Sequence, residues 1–232
     1  MPLKGKQPSG LLTQQKMLRS AVMLFVEKGY ESASTAEIAR NAGMTPSAFF
    51  RAFPNKEALL LELTKWIFDG QYDLAREICQ TDDAKLICAV EAGLEFHTSE
   101  ISEPLRELYV AAYTLPSTSR YIYRAMSERL HNAFRGYQPD AQAKDFYEME
   151  IACASILRGY MTIPSDVYFT VDTKIMRFLD CVLKLVNVEE EERKDLIRTT
   201  LSLNLRETAE QILRSTIKKI EEGVPITGHL LY

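Results

Sequence analysis

The stretch TAEIARNAGMTPSAFFRAFPNKEALL, Thr35–Leu60, contains two short apolar helical patterns separated by a single glycine. In the first pattern, Ile38 and Ala39 lie on one side of the predicted helix. In the second, Phe49 and Phe53 are four residues apart, a spacing that places both rings on the same helix face. Both helices are therefore predicted to pack against a shared apolar core.

The turn between these helices has the residues that a tight helix–helix connection requires. Gly43 is expected to adopt a positive φ, which a side chain with a Cβ resists. Thr45 is predicted to cap the second helix through its hydroxyl, and Pro46 fits the first helical position. Two short helices joined by such a turn form a helix-turn-helix, in which the second helix enters the major groove of DNA. Helical proteins also contain such corners without binding DNA.

The residues predicted to face DNA lie on the second helix and at the ends of its two neighbours. The outward positions are small side chains or side chains able to contact base edges and phosphates. Helix N-termini attract phosphate, so the start of the preceding helix and the start of the following one are expected to contact the DNA backbone. The predicted DNA-contacting residues are Thr35, Thr45, Pro46, Ser47, Ala48, Phe50, Arg51 and Lys56.

The charge distribution supports a small basic module joined to an acidic body. The chain has 232 residues and a net charge of −4, which alone argues against a nucleic-acid binder. Residues 1–56, however, contain eight basic and three acidic residues, whereas the remaining chain contains 20 basic and 29 acidic residues. Such asymmetry between segments is typical of a chain with one nucleic-acid-binding part.

The whole chain is predicted to be nearly all helix. Residues 1–12 are expected to form a flexible arm that carries Lys4 and Lys6, and the first helix is expected to run from Thr13 to Gly29. VYFTV, residues 167–171, has the composition of a strand but no partner strand. The later helices are predicted at about 56–80, 83–99, 104–113, 119–134, 140–161, 172–186 and 189–222.

Several classes of protein are excluded or disfavoured by what the sequence lacks. The N-terminus has no apolar core of a secretory signal, and no apolar run is long enough to span a bilayer. The four cysteines are far apart and are interpreted as reduced core thiols of a cytoplasmic protein. No motif for catalysis, a metal or a cofactor is present, so the prediction is a non-enzyme without cofactors.

The motif residues resemble the N-terminal domain of the TetR family of transcriptional regulators. Over about residues 13–60, this chain is similar to the family pattern, which consists of A-x-x-L-F-x-x-x-G-[YF], T-x-x-I-A-x-x-A-G and F-x-x-K. Its positions here are Ala21, Leu24, Phe25, Gly29, Tyr30, Thr35, Ile38, Ala39, Ala42, Gly43, Phe53 and Lys56.

Three positions depart from the family pattern. Ser47, Phe50 and Ala52 stand where the family usually has glycine, tyrosine and an aromatic residue or histidine. A phenylalanine cannot donate the hydrogen bond that the family's tyrosine hydroxyl gives to a phosphate, so either the affinity for DNA is lower or Phe50 contacts a thymine methyl group instead.

The resemblance implies an all-α fold with two domains: a three-helix DNA-binding domain at residues 13–61 and a helical ligand-binding and dimerisation domain at residues 62–232. It further implies a homodimer that binds a palindromic operator in double-stranded DNA and is released as a repressor by a small-molecule effector. The dimer helices are assigned to about residues 145–161 and 172–186.

The effector is expected to be a small, largely apolar or aromatic molecule held by a few polar groups. Arg158 lies in an apolar run and is expected either to pair with a buried carboxylate or to meet an anionic ligand. The candidate ligand-binding residues are Phe96, His97, Tyr109, Tyr113, Tyr123, Met126, Phe134, Tyr147 and Arg158.

Three alternatives to a ligand-released repressor are consistent with the sequence. The chain could be a transcriptional activator, or a regulator controlled by a protein partner without a small-molecule pocket. It could also be a helical enzyme with a vestigial DNA-binding module. A cavity in the body favours small-molecule control, and salt-dependent DNA binding separates a regulator from an enzyme.

Overall fold

The computed structural model describes residues 8–226, and these residues form eleven helices with no strand among them. None of these helices combines the length and the apolar composition that a membrane-spanning segment requires. The helices are α1 (Pro8–Lys28), α2 (Thr35–Asn41), α3 (Pro46–Ala52), α4 (Lys56–Cys79), α5 (Ala84–Ser99), α6 (Glu103–Thr114), α7 (Pro116–Phe134), α8 (Ala143–Met161), α9 (Val171–Leu185), α10 (Glu190–Ser202) and α11 (Leu205–Glu221).

Helices α1 to α3 and the start of α4 form the predicted helix-turn-helix arrangement. Gly29 and Gly43 both adopt the positive φ values, 84° and 73°, that the sequence predicts at the two turns. The side chain of Ser34 caps α2 by accepting a hydrogen bond from the backbone N–H of Glu37 at 3.2 Å. Ile38 and Phe49 are fully buried in the core that these helices share.

Helix α1 begins at Pro8, five residues before the predicted cap at Thr13. Residues 8–12 are therefore helical and do not belong to a flexible arm. Leu11 and Leu12 are about half exposed there. The rest of the predicted arm, including Lys4 and Lys6, lies outside the described residues.

The final predicted helix, 189–222, is wrong as a single element because the chain breaks between α10 and α11. Leu203 adopts an extended conformation with φ −81° and ψ 141°. The break turns the chain so that Leu205, at the start of α11, becomes buried against α5. Neither glycine nor proline marks this break in the sequence. The break coincides instead with the burial of Leu205.

The segment with strand-like composition, residues 167–171, forms a turn that leads into α9. The Asp166 carboxylate accepts hydrogen bonds from the backbone N–H groups of Tyr168 and Phe169, both at 2.8 Å. An aspartate that bonds backbone groups two and three residues ahead stabilises a turn instead of an extended strand.

Helix α5 is the centre of the body, because it contacts α4, α6, α7, α9, α10 and α11. A helix enclosed in this way buries residues around its whole circumference, including positions that would face solvent on a surface helix. Glu91 and Glu95 occupy such positions and are buried.

The predicted boundary at residue 61 lies within α4, and several residues of the body pack into the apolar core of the N-terminal helices. Leu105 and Leu108 of α6 pack with the helix-turn-helix core, as does Ile226 near the end of the described chain. Gln15 holds that end through two hydrogen bonds with the backbone of Ile226, at 2.7 and 3.1 Å. The remaining C-terminal residues, 227–232, lie outside the described residues.

Candidate functional site

The outward face of α3 exposes a short set of side chains on the surface of the N-terminal domain. Ser47, Phe50 and Arg51 are exposed, as the sequence predicts, and so is Pro46. Phe50 is 60 % exposed although the adjacent Phe49 is fully buried. Phe50 is therefore the large apolar side chain that this face makes available for contact.

Two predictions about α3 are wrong. Ala48 is buried, because it lies with Phe49 on the side of α3 that faces the core. Thr45 stands at the N-cap position but makes no capping hydrogen bond with its side chain. Its hydroxyl lies 3.1 Å from the Ser47 hydroxyl instead, and both residues are exposed.

Lys56 points back into the protein, contrary to the predicted phosphate contact. Its ammonium donates to the backbone carbonyls of Tyr30 at 2.8 Å, Ala33 at 3.2 Å and Glu31 at 3.4 Å. It also lies 4.2 Å from the centre of the Tyr30 ring. Burial lowers the pKa of this ammonium, and the neighbouring acidic residues oppose that shift. Lys56 therefore fixes the loop between α1 and α2 to the start of α4.

Helices α2 and α3 are held rigidly against α1. Gln14 donates to the carbonyl of Ala52 at the end of α3 at 2.9 Å, and Ser20 donates to the carbonyl of Ile38 in α2 at 2.8 Å. Thr35, the remaining predicted contact, is half-buried at the first position of α2. The exposed face of α3 is consequently presented in one fixed orientation.

The body contains a cavity of about 70 Å³ between α5, α6, α7, α8 and α9. Three of the predicted ligand-binding residues, Tyr113, Met126 and Phe134, line it. Most of its wall is apolar, with contributions from residues such as Leu157 and Phe178.

The other predicted ligand-binding residues do not line this cavity. Phe96 is buried against Phe178, with ring centres 5.6 Å apart. Tyr109 lines a second, apolar cavity of about 80 Å³ between α1, α4, α5, α6 and α11, and His97 lines an open groove near the start of α9. The remaining predicted ligand-binding residues are half-buried and line none of these spaces; they are Tyr123, Tyr147 and Arg158.

The position of Tyr147 and Arg158 has a simple geometric reason. The buried side of α8 is defined by residues that include Phe146, Glu150 and Leu157. Tyr147 and Arg158 each follow a buried residue directly, so they are rotated by about 100° from that side. For Arg158, no ion pair with a carboxylate is found among the described residues, so the predicted pairing in the core is not observed.

Sequence reasoning missed the charged groups of the cavity, which are Lys85, Glu91, Glu95, Arg129 and Glu150. Arg129 forms an ion pair with Glu91, and its guanidinium lies 4.3 Å from the Tyr72 ring centre. The Tyr113 hydroxyl donates to Glu95 at 2.6 Å. A signal was available, since Glu91 and Glu95 stand one turn apart in the apolar run ICAVEAGLEF, residues 87–96.

The three carboxyl groups share an unusual acid–base character. Burial raises the pKa of Glu91 to about 7, although Arg129 opposes the shift. Burial, with the charge of Glu91, raises the pKa of Glu95 to about 8. Burial also raises the pKa of Glu150 well above its usual value, and the charges of Glu95 and Glu91 add to this effect. The protein thus keeps acidic groups in a site where their charged forms are disfavoured.

The described cysteines form no disulfide, and within residues 8–226 no cluster of metal-binding side chains is found. Cys153 is buried, and Cys79 and Cys88 are partly buried. Cys181 on α9 is exposed, so its interpretation as a core thiol is wrong.

Residues 17–63 match the family described as bacterial regulatory proteins of the tetR family. Over these residues, the N-terminal domain is similar to the TetR family. Over 100 residues, the chain is 39 % identical to the uncharacterized HTH-type transcriptional regulator YuxN of Bacillus subtilis, a match that spans 40 % of this chain and 34 % of YuxN. It is 48 % identical over 48 residues to the transposon Tn10 TetC protein of Escherichia coli, spanning 21 % of this chain and 24 % of that protein. The chain therefore spans about a third or less of the length of these curated relatives.

Two solved structures share the fold beyond the TetR-type domain. The structure of RolR in complex with the ligand resorcinol has a TM-score of 0.63 at 18 % identity, and the match covers 82 % of this chain and 94 % of RolR. The structure of SmeT, the repressor of the Stenotrophomonas maltophilia multidrug efflux pump SmeDEF, has a TM-score of 0.54 at 19 % identity, covering 74 % of this chain and 89 % of SmeT. At these identities the likeness concerns the fold alone.

Polar contacts join the TetR-type domain to α6 and α7 of the body at two points. The Glu107 carboxylate of α6 accepts a hydrogen bond from the backbone N–H of Glu31 in the loop after α1. The Glu57 carboxylate in the first turn of α4 accepts from the backbone N–H and the hydroxyl of Ser117 in α7, at 2.8 and 2.6 Å. These bonds lower the pKa of Glu57. Helices α6 and α7 therefore contact the same loop and helix start that Lys56 joins.

Proposed function

We propose that this chain is a sequence-specific, DNA-binding transcriptional regulator, a homodimeric repressor that a small molecule releases from a palindromic operator. The observation that carries the proposal is the exposed face of α3, in a domain that is similar to the TetR family. The protein is not an enzyme in this proposal, and it acts in the cytoplasm, where its operator is accessible.

The α3 face would read DNA mainly through three side chains. Phe50 is the apolar group available for a thymine methyl group, and Ser47 is the small polar group available for a base edge. Arg51, on the last turn of α3, is the cation available for a phosphate. Thr45, Pro46 and the half-buried Thr35 would contribute to the rim of this contact.

A second copy of the chain is proposed to pack against α8 and α9. The solvent-facing side of α8 carries Ile151, which is 38 % exposed, and the small residues Ala152, Ser155 and Gly159. Small residues at three- and four-residue spacing allow two helices to approach closely. A two-fold axis here would allow the two α3 helices of the dimer to contact two half-sites of one operator. Analytical ultracentrifugation at several protein concentrations tests this association.

Release by a small molecule is supported by the cavity in the body and by the contacts that join the body to the TetR-type domain. Cavity residues Tyr113 and Met126 belong to α6 and α7, and these helices also carry Glu107 and Ser117. A ligand that shifts either helix would therefore displace the loop after α1 or the start of α4. This cavity favours small-molecule control over control by a protein partner alone.

The direct test is selection of bound duplexes from a random DNA pool with the purified protein at two salt concentrations. An inverted repeat among the recovered sequences supports a dimeric, sequence-specific regulator, and its genomic position identifies the regulated genes. Recovery of no common sequence, together with binding that salt abolishes, would contradict the proposal, because phosphate contacts alone do not specify a sequence.

Arg51 provides a sharper test of the interface once an operator is known. Arg51→Ala should weaken binding and reduce the slope of log affinity against log salt by about one, as loss of one phosphate contact requires. Arg124→Ala is the matched control, because Arg124 is exposed on α7 in the body. Equal salt slopes for Arg51→Ala and the wild type would remove Arg51 from the interface.

A further inference from the structure

The body cavity contains more buried acid than its basic groups can neutralise. It has carboxyl groups from Glu91, Glu95 and Glu150, and two basic side chains, Lys85 and Arg129, at its wall. Lys85 is already paired with Glu192 at 2.6 Å and donates to the Tyr137 hydroxyl at 2.9 Å. Its charge is therefore compensated outside the cavity.

The second basic group, Arg129, is committed as well. It forms an ion pair with Glu91, approaches Asp69 at 3.5 Å and lies over the Tyr72 ring. Of the three carboxyl groups, Glu91 thus has a charged partner and Glu95 has the Tyr113 hydroxyl.

Glu150 has no partner of either kind. It is only 7 % exposed and lines the cavity, and among the described residues no hydrogen bond or ion pair involves its carboxyl group. Buried polar groups in native proteins are normally hydrogen-bonded, so an unpartnered carboxyl group at a cavity wall is available to bind a ligand.

We propose that this cavity binds a compact organic cation, whose ammonium group contacts Glu150 and whose apolar part packs against the wall formed by residues such as Leu157 and Phe178. The inference deepens the proposed function and rests on it for the consequence of binding, since the cation would be the effector. Glu95, which lines the same cavity and already accepts a hydrogen bond from the Tyr113 hydroxyl, would supply the second oxygen acceptor.

The cation is favoured over other ligand classes by charge. An anion would face three acidic groups while Arg129 is engaged with Glu91. A purely apolar molecule would fill the wall but leave Glu150 without a partner, which burial makes unfavourable. A neutral donor such as a phenol could bond Glu150, but it would not stabilise the charged carboxylate, which burial disfavours and which a bound cation restores with release of a proton.

The cavity volume limits the size of this cation. At about 70 Å³ it is roughly half the volume of an engineered apolar cavity that binds benzene. An alkylammonium with a short branched chain fits such a space, and a larger molecule would require Met126 to move, which its flexible side chain permits.

Isobutylammonium and isobutanol form a matched pair of probes with the same shape and number of non-hydrogen atoms. We expect the full-length protein to bind isobutylammonium at millimolar concentrations at neutral pH, at least about tenfold more tightly than isobutanol, by calorimetry or ligand-observed NMR. Resorcinol, the ligand in the RolR structure, is the third probe and represents neutral hydrogen-bond donors.

The variant Glu150→Gln preserves the shape of the side chain and removes its charge. It should weaken isobutylammonium binding by about tenfold or more, as loss of one member of a buried charge pair requires, and leave isobutanol binding unchanged. Glu148→Gln is the control, because Glu148 is exposed on the same helix. Its affinity for both probes should equal that of the wild type.

Each result decides the inference. If isobutylammonium fails to bind, or if isobutanol or resorcinol binds as well, the preference for a cation is wrong. If Glu150→Gln binds isobutylammonium like the wild type, Glu150 is not the contact. A protein that selects an operator but ignores isobutylammonium overturns this inference alone, whereas one that binds the cation but selects no DNA overturns the proposed function alone.

Discussion

The two halves of the molecule bury their charged groups in opposite ways. In the N-terminal domain, the Lys56 side chain is partly buried and its ammonium donates to three backbone carbonyls. In the body, the Glu150 carboxyl group is buried at a cavity wall without a described partner. The comparison teaches that the polar groups of the N-terminal domain are satisfied within the chain, whereas the cavity of the body keeps a carboxyl group available to a ligand.

The largest expected effect tests whether the N-terminal core is as tightly packed as this comparison requires. Phe49→Ala should lower the free energy of unfolding by about 3 to 5 kcal/mol, because Phe49 is fully buried and contacts Phe53. Phe50→Ala is the matched control: the same truncation one residue later, at a 60 % exposed side chain, should change stability by less than about 0.5 kcal/mol. Equal losses in urea unfolding would show that the α3 core is not close-packed.

The second prediction concerns the pH dependence of stability, which the body should dominate. Glu91 and Glu95 have pKa values of about 7 and 8 in the folded protein, above the usual 4.5, and the pKa of Glu150 is also raised. The folded state therefore binds more protons than the unfolded chain above pH 4.5, so stability should fall as the pH rises from 5 to 8. Glu91 alone should account for about 2.5 kcal/mol of this loss between pH 5 and 8.

His97 opposes this trend, because burial lowers its pKa. The folded state then binds fewer protons at this histidine than the unfolded chain does, so the contribution of His97 to stability increases with pH. Thermal unfolding at several pH values measures the sum. Glu95→Gln should flatten the decrease, since it removes one of the groups, whereas Glu148→Gln should leave the slope unchanged. A wild-type melting temperature that increases steadily from pH 5 to 8 would contradict the burial of these acids in the folded state.

The same contrast explains what could be predicted from the sequence. The helix-turn-helix depends on neighbours in the chain: a glycine at the turn, a proline at the first position of α3 and two phenylalanines one turn apart. Such local signals fixed the positions of α2 and α3 and most of the exposed α3 face. Ala48 was misplaced because α3 is only seven residues long, and a shift of one position moves a side chain from one face to the other.

The body was less predictable because its decisive contacts join distant residues. Glu91 and Glu95 are polar residues at helical spacing, a pattern typical of a solvent-facing side. They are buried only because six helices surround α5. Lys56 was misassigned for a similar reason, since its carbonyl partners lie more than 20 residues earlier in the chain.

The third prediction sharpens the contrast between the paired and the unpaired charge. Lys56→Met keeps an apolar stem of similar length but leaves the carbonyls of Tyr30, Glu31 and Ala33 without this donor. The free energy of unfolding should decrease by about 2 kcal/mol, the scale of hydrogen bonds to a charged group. Glu150→Gln, the corresponding change in the body, should leave stability equal or higher at neutral pH, because it removes an unpartnered acid. If both variants lose the same stability in urea unfolding, the distinction between the two regions is wrong.

The smallest expected effect separates backbone strain from side-chain packing at the turn between α2 and α3. Gly43 has a φ of 73°, and a Cβ added there would meet no atom within 4 Å. Gly43→Ala should therefore cost only the backbone penalty of the left-handed conformation, about 1 kcal/mol, without a clash.

Gly136→Ala in the body is the matched control, since a Cβ there also meets open space and the backbone has no positive φ. That variant should be neutral or slightly stabilising, because alanine restricts the unfolded chain. Equal stabilities for the two variants would mean that the turn relaxes out of its left-handed conformation, and the orientation of the α3 face would then not be fixed by Gly43.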